Sequence, residues 1–156
     1  MAVIKRLRTR PSYLTPNEPD LLEVPTGSRA PAFLGETISG ATFTNESLIG
    51  SEAIFAFFDT GCSTCKTAIP ELIEYAQKHN VKSDQIVSII SGDPSDATEY
   101  ITKLSGIATI ILDGPGGSVS GSFGISGIPA YVVVDGNGIV VRSGKSQGIL
   151  PQKGLM

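Results

Sequence analysis

Apolar residues in this chain fall into short runs separated by turn-forming residues, and the runs alternate between two periods. Ala53 to Phe58 (Ala-Ile-Phe-Ala-Phe-Phe) is unbroken and of strand length, the pattern of a central strand buried on both faces. Ile86 to Ser91 is a second such strand and Ala108 to Leu112 a third. Between the first two, Lys66 to Asn80 places Ile69, Leu72, Ile73 and Ala76 three and four residues apart, which makes one face of a helix. Pro70 lies inside that helix, and its missing N–H predicts a kink. Asn80 reads as the C-cap, with His79 in the last turn. Gly92 to Asp96 is a turn ending in capping residues, followed by a short helix from Ala97 to Leu104. Val119 to Gly124 reads as a helical turn. Tyr131 to Val134 and Ile139 to Arg142 are β-branched runs flanking Asp135-Gly136-Asn137-Gly138, the strongest hairpin signal in the chain. Upstream, Ser39-Gly40 reads as a turn, Thr42-Phe43-Thr44 as a brief strand, and Asn45 to Leu48 as a helical turn.

The order strand, helix, strand, helix, strand, hairpin requires crossover connections and a parallel pair, with antiparallel strands added by the hairpin. The fold class is therefore α/β, a mixed sheet flanked by helices with a C-terminal β-hairpin. Residues 1–30 read as an extended N-terminal segment, because five of the ten prolines lie in the first 31 positions. Leu21, Leu22 and Val24 are apolar enough to dock on the domain surface. The domain proper is expected over 31–142. Residues 143–156, with little periodicity, read as an irregular tail in which a closing helix is absent or truncated, which would expose one sheet face or invite a partner.

Composition changes this picture little. At 156 residues and 40% hydrophobic, the chain suits one globular domain with a sizeable core. The net charge of −3 offers no basic face for nucleic acid. Lys5, Arg6, Arg8 and Arg10 crowd the first ten residues. They suit a solvated tail or the segment following a membrane anchor that lies outside this sequence. No run reaches the roughly 18 apolar residues of a membrane span, and the start lacks the apolar core of a signal peptide.

The chemistry concentrates at Cys62-Ser63-Thr64-Cys65, the only two cysteines of the chain, between the first strand and the first helix. A thiolate at a helix N-terminus is stabilised by free backbone N–H groups and the helix dipole. Cys62 is expected at or just before the first helical residue with its sulfur exposed, and Cys65 one turn along and more buried. Cys62 would attack a disulfide, and Cys65 would resolve the mixed disulfide. A zinc site lacks ligands, since His79 is the one other soft donor, and no metal or cofactor is expected. A purely structural bridge would close too small a ring to stabilise much. The alternatives left open are a thiol peroxidase, although neither cysteine has the Pro-x-x-x-Thr-x-x-Cys context, and a non-enzymatic interaction module.

Phe57-Phe58, Cys62-Ser63-Thr64-Cys65 and Pro70, with Phe123-Gly124-Ile125-Ser126-Gly127-Ile128-Pro129-Ala130 and the following strand, Asp135 and Gly138, resemble the thioredoxin-like fold. The subgroup most resembled is the TlpA/ResA-type (redoxin, MauD-like) thiol–disulfide oxidoreductases, over about residues 31–142. The resemblance implies a cis Ile128–Pro129 bond, with Pro129 packed against the cysteine pair and the Ile128 backbone pairing with an extended substrate segment. It also implies a protein disulfide or dithiol substrate, an upstream electron donor, and work outside the cytoplasm. The family often has Trp before the first cysteine. Gly61 stands there instead and predicts a more open floor, so Gly61, Ile128 and Pro129 are the expected substrate contacts. Ala56 and Ala68 occupy positions where relatives carry a carboxylate, which leaves Asp59 as the candidate proton acceptor for Cys65.

Overall fold

The computed structural model describes residues 26–48, 50–114, 118–125, 127–145, 147–151 and 155. The basic cluster at the start, Leu21, Leu22, Val24 and the first four prolines lie outside them. A five-stranded sheet forms the centre, in the order β5-β4-β3-β6-β7. Its strands are β3 (Ala53–Asp59), β4 (Ile86–Ser91), β5 (Thr109–Gly114), β6 (Ala130–Val134) and β7 (Val140–Gly144). β3 runs parallel to β4 and β4 to β5, whereas β6 is antiparallel to both β3 and β7. The protein has a mixed thioredoxin-like sheet flanked by helices, with β6 and β7 as the hairpin.

Two further strands, β1 (Leu34–Glu36) and β2 (Thr42–Thr44), form a small antiparallel ribbon of their own. β1 escaped the sequence reading because Leu34-Gly35-Glu36 has no alternation, and its side chains are mostly solvated. The ribbon is tied to β5 where Ile38 N–H donates to Ile110 O at 3.0 Å.

Alternation along β3 creates two cores. Ile54, Ala56 and Phe58 face α1 (Ser63–Lys78) and α2 (Thr98–Leu104), together with Tyr131 and Val133 of β6. Phe55 and Phe57 face the other way, against Phe33, Val119, Phe123, Val132 and Val140. Every residue from Ala53 to Phe58 is at most 1% exposed, the signature of a strand covered on both faces. The second core is aromatic. Phe123, just beyond α3 (Ser118–Ser122), has ring centroids 5.6, 5.0 and 5.2 Å from those of Phe33, Phe55 and Phe57.

α1 begins at Ser63, directly after Cys62 as expected, and the Cys62 side chain caps its first turn. It continues through Pro70 to Lys78 as one helix. Pro70 is exposed, and it has no N–H to donate to the Lys66 carbonyl one turn back. The C-cap is His79, and Asn80 is the residue after it, with φ +53°. Val81 N–H reaches Ala76 O at 2.9 Å and Asn80 N–H reaches Gln77 O at 3.4 Å, the paired bonds of a Schellman ending.

The tail also differs from expectation. β7 extends to Gly144, and beyond it Gln147–Ile149 forms a single 3-10 turn. Ile149, Leu150 and Leu155 pack into the α1 core, and the Tyr75 hydroxyl donates to Pro151 O. The sheet face thought to be exposed is thus covered without a closing helix. No helix among the described residues is long and apolar enough to cross a membrane.

Phe123→Ala should open a cavity in the aromatic core. A loss of about 3–5 kcal/mol is expected, measurable as a lowered urea midpoint with unchanged slope.

Candidate functional site

β3 ends at Asp59, and a tight turn carries the chain into α1. Cys62 N–H donates to Asp59 O at 3.0 Å, and Thr60 N–H donates to Ser91 O at 3.1 Å, which pins the turn to the end of β4. Gly92 makes that approach possible. Its φ is +99°, and a Cβ there would lie 2.3 Å from Thr60 Oγ1.

Cys62 is the N-cap residue of α1, in extended conformation, with Sγ accepting the Cys65 N–H at 3.2 Å. A sulfur here takes the place of the usual cap oxygen. Thr64 Oγ1 lies 3.5 Å from the same sulfur, and on the opposite side the Cys62 thiol donates to Ile128 O at 3.8 Å. Cys62 is partly exposed, whereas Cys65 is buried, and neither is in a disulfide. The difference follows from register. Cys65 begins the stripe continued by Ala68, Ile69, Leu72 and Ala76, while Cys62 stands ahead of the helix.

The two thiols are driven apart in acidity. For Cys62 burial is the largest influence and acts upward, but hydrogen bonds from the side chains and backbones of Cys65 and Thr64 outweigh it. Its pKa ends below the ordinary thiol value. Cys65 is pushed up to about 12, chiefly by burial, then by its hydrogen bond and charge relation with Cys62. A more acidic sulfur at the surface beside a protonated one in the core suits attack followed by resolution.

The sequence-predicted residues converge here. Ile128 reaches Cys62 through its carbonyl, and the Ile128–Pro129 peptide bond is cis. Pro129 lines a cleft of about 690 Å³ together with Thr64, Thr67 and Ala68 of α1. Gly61 is exposed, and the only atom near the place a side chain would occupy is Asp59 Oδ1, at 3.4 Å. Asp59 Oδ1 accepts the Gly61 N–H at 2.8 Å, so its carboxylate shapes the turn. The Asp59 charge is also among the smaller influences raising Cys65. Among the described residues no cluster of His, Cys, Asp and Glu could hold a metal ion.

Tyr100 was missed from the sequence. It is 2% exposed, and its hydroxyl points between two backbone carbonyls of the redox turn, Asp59 O at 3.1 Å and Cys62 O at 3.4 Å. Burial, then the charges of Cys65 and Cys62, push its pKa up to about 12, so it remains a donor while Cys62 ionises. In the sequence it is simply one apolar-face residue of a seven-residue helix. No local signal marks it.

The Redoxin family model matches residues 25–152. The chain belongs to the Redoxin family. It is similar to the thiol-disulfide oxidoreductase ResA of Bacillus thuringiensis (strain Al Hakam), 22% identical over 116 residues, covering 74% of this chain and 67% of that one. Its structure resembles a putative thiol:disulfide interchange protein DsbE from Chlorobium tepidum, with TM-score 0.68 and 22% identity over 81% of this chain and 90% of the other. A secreted Mycobacterium tuberculosis disulfide oxidoreductase homologous to E. coli DsbE matches with TM-score 0.59 and 24% identity, covering 70% and 80%. These likenesses place the mixed sheet and its helices in the fold this redoxin was expected to have.

Two tests follow from the geometry. In the reduced redoxin, Cys62 should alkylate with a pH midpoint below that of a free thiol, while Cys65 stays unmodified until strongly alkaline pH. Peptide mapping after iodoacetamide across a pH series checks this, and equal labelling of both cysteines at neutral pH would contradict it. Tyr100→Phe should cost about 1 kcal/mol of stability. It should also move the Cys62 midpoint up toward the ordinary thiol value, since the turn that aligns Cys65 N–H is loosened.

Proposed function

We propose that this redoxin is a thiol–disulfide oxidoreductase that reduces or exchanges disulfides in a protein partner, with Cys62 as nucleophile and Cys65 as resolving thiol. The observation that carries the reading is the capping of α1 by the Cys62 sulfur, 3.2 Å from Cys65 N, with Cys65 held protonated beneath it. The Cys62 thiolate attacks one sulfur of the partner's disulfide, forming a mixed disulfide and releasing the other sulfur as thiolate. This step removes the Cys62 hydrogen bond and charge that help to hold Cys65 high. Cys65 then loses its proton more readily and attacks the Cys62 sulfur. The partner leaves with both sulfurs reduced, one taking up the proton lost by Cys65, and the redoxin is left with a Cys62–Cys65 disulfide. Two electrons have moved to the partner, and an upstream dithiol donor returns them.

Pro129 and the Ile128 backbone form the wall along which an extended partner segment lies, and Gly61 leaves the floor open. The Ile128 carbonyl, engaged by the Cys62 thiol in the free protein, becomes available to the partner's backbone once Cys62 is ionised. A location outside the cytoplasm is part of this reading, supported by the secreted Mycobacterium tuberculosis relative.

The test is insulin disulfide reduction with dithiothreitol as donor. Wild type should accelerate precipitation of the insulin chains, and Cys62→Ser should fall to the uncatalysed rate. Cys65→Ser should accumulate a mixed disulfide that only added reductant releases. Indistinguishable rates for wild type and Cys62→Ser would mean a binding module whose thiols are idle.

A further inference from the structure

The hairpin register brings the end of β7 beside the redox wall. Gly144 pairs with Tyr131, so Lys145 follows just where β6 leads back to Pro129 and Ile128. The half-buried Lys145 side chain runs over Gly127, the residue before Ile128. A Cβ on Gly127 would lie 2.8 Å from Lys145 Nζ and 2.9 Å from Cε, so the missing side chain is what admits the lysine.

Lys145 lines the cleft of about 690 Å³ that Pro129 and Thr64, two residues after Cys62, also line. Other charges in this cleft are Glu71, Glu74 and Lys78 on α1. Glu71 is nine residues beyond Cys62, roughly 13 Å along the helix axis, and Glu74 and Lys78 are further still. The Lys145 ammonium, by contrast, rests against the residue next to Ile128. Among the described residues the one ion pair joins Lys103 to Glu99, so no described carboxylate lies within ion-pair distance of Lys145. A partly buried lysine with no ion-pair partner among the described residues, beside the backbone that a substrate segment follows, is a site for an anionic side chain.

We propose that Lys145 is a specificity-determining residue that selects partner segments carrying Asp or Glu close to the reactive cysteine. The proposal rests on the oxidoreductase reading above. An acidic side chain of an extended polypeptide suits the site, because the charge resting against Gly127, beside Ile128, is positive. Lys145 does not act on the sulfur itself, since the shift of Cys62 arises from burial, Cys65 and Thr64.

The experiment compares three fluorogenic disulfide peptides that differ only in having Asp, Ala or Lys beside the cysteine. They are reduced by the full chain, its Lys145→Met variant and its Lys145→Glu variant. Wild type should favour Asp over Lys in kcat/KM by about fivefold or more at low ionic strength, with the preference shrinking as salt is added. Lys145→Met should level the series, and Lys145→Glu should reverse it. Iodoacetamide labelling of Cys62 should be the same in all three proteins, which separates recognition from thiol reactivity. Reduction without regard to flanking charge, or a preference that survives both variants, overturns the proposal. If wild type reduces none of the peptides, the oxidoreductase reading falls and this one falls with it.

Discussion

The pairing register of β3 with β6 is the constraint on which the redox end depends. Phe57 stands opposite Ala130 in an antiparallel ladder, so the residues just before Ala130 must lie beside those just after Phe57. Ile128 and Pro129 are thereby set against the Asp59-to-Cys62 turn, although almost seventy residues of chain separate Cys62 from them. A one-residue slip would turn every side chain of β6 to the opposite face, and burial on both sides forbids it. Tyr131 and Val133 belong to one core, Ala130, Val132 and Val134 to the other, and neither set fits the other's place. The wall of the site is thus held by packing remote from any sulfur.

Within that frame the first turn of α1 does two jobs with one atom. A helix start needs an acceptor for its free N–H groups, and a nucleophile needs donors for its negative charge. The Cys62 sulfur answers both through Cys65 N–H. Tyr100 takes up the other side of the same turn by donating toward its carbonyls, leaving the amides free to face the sulfur. Neither relatives' carboxylate position is filled here. Ala56 and Ala68 are both buried in the core against which Cys65 packs, and burial rather than a neighbouring acid dominates the Cys65 proton affinity.

Much of this was legible in the chain itself. Central strands are unmistakable when both faces are apolar, and Asp135 to Gly138 announced the hairpin through turn chemistry. The cysteine pair announced itself by position, and Ile128-Pro129 through a resemblance. Harder to read were features whose cause lies elsewhere in space. β1 is a strand only because β2 and β5 accept it. The start of α1 falls beside Cys62 in the sequence, but nothing in the chain says that the sulfur itself is the cap. The tail has no periodicity of its own, yet Leu150 and Leu155 find a place against α1. Tyr100 could not be distinguished from an ordinary core aromatic, since its hydroxyl partners are 38 and 41 residues away. Asp59 stands out in the sequence as a candidate acid, but its carboxylate accepts a hydrogen bond from the turn it forms.

The bond from Cys65 N–H to the Cys62 sulfur also bears on the direction in which electrons run. A disulfide sulfur is a poor acceptor, so this contact favours the reduced protein more than the oxidised one. By a thermodynamic cycle, any interaction that stabilises the dithiol fold relative to the disulfide fold raises the reduction potential by the same free energy. For a two-electron couple about 1.4 kcal/mol corresponds to 30 mV. The first turn of α1 is therefore a setting of electrochemical bias as well as a helix start, and the residues that shape it fix how strong a partner this protein can reduce.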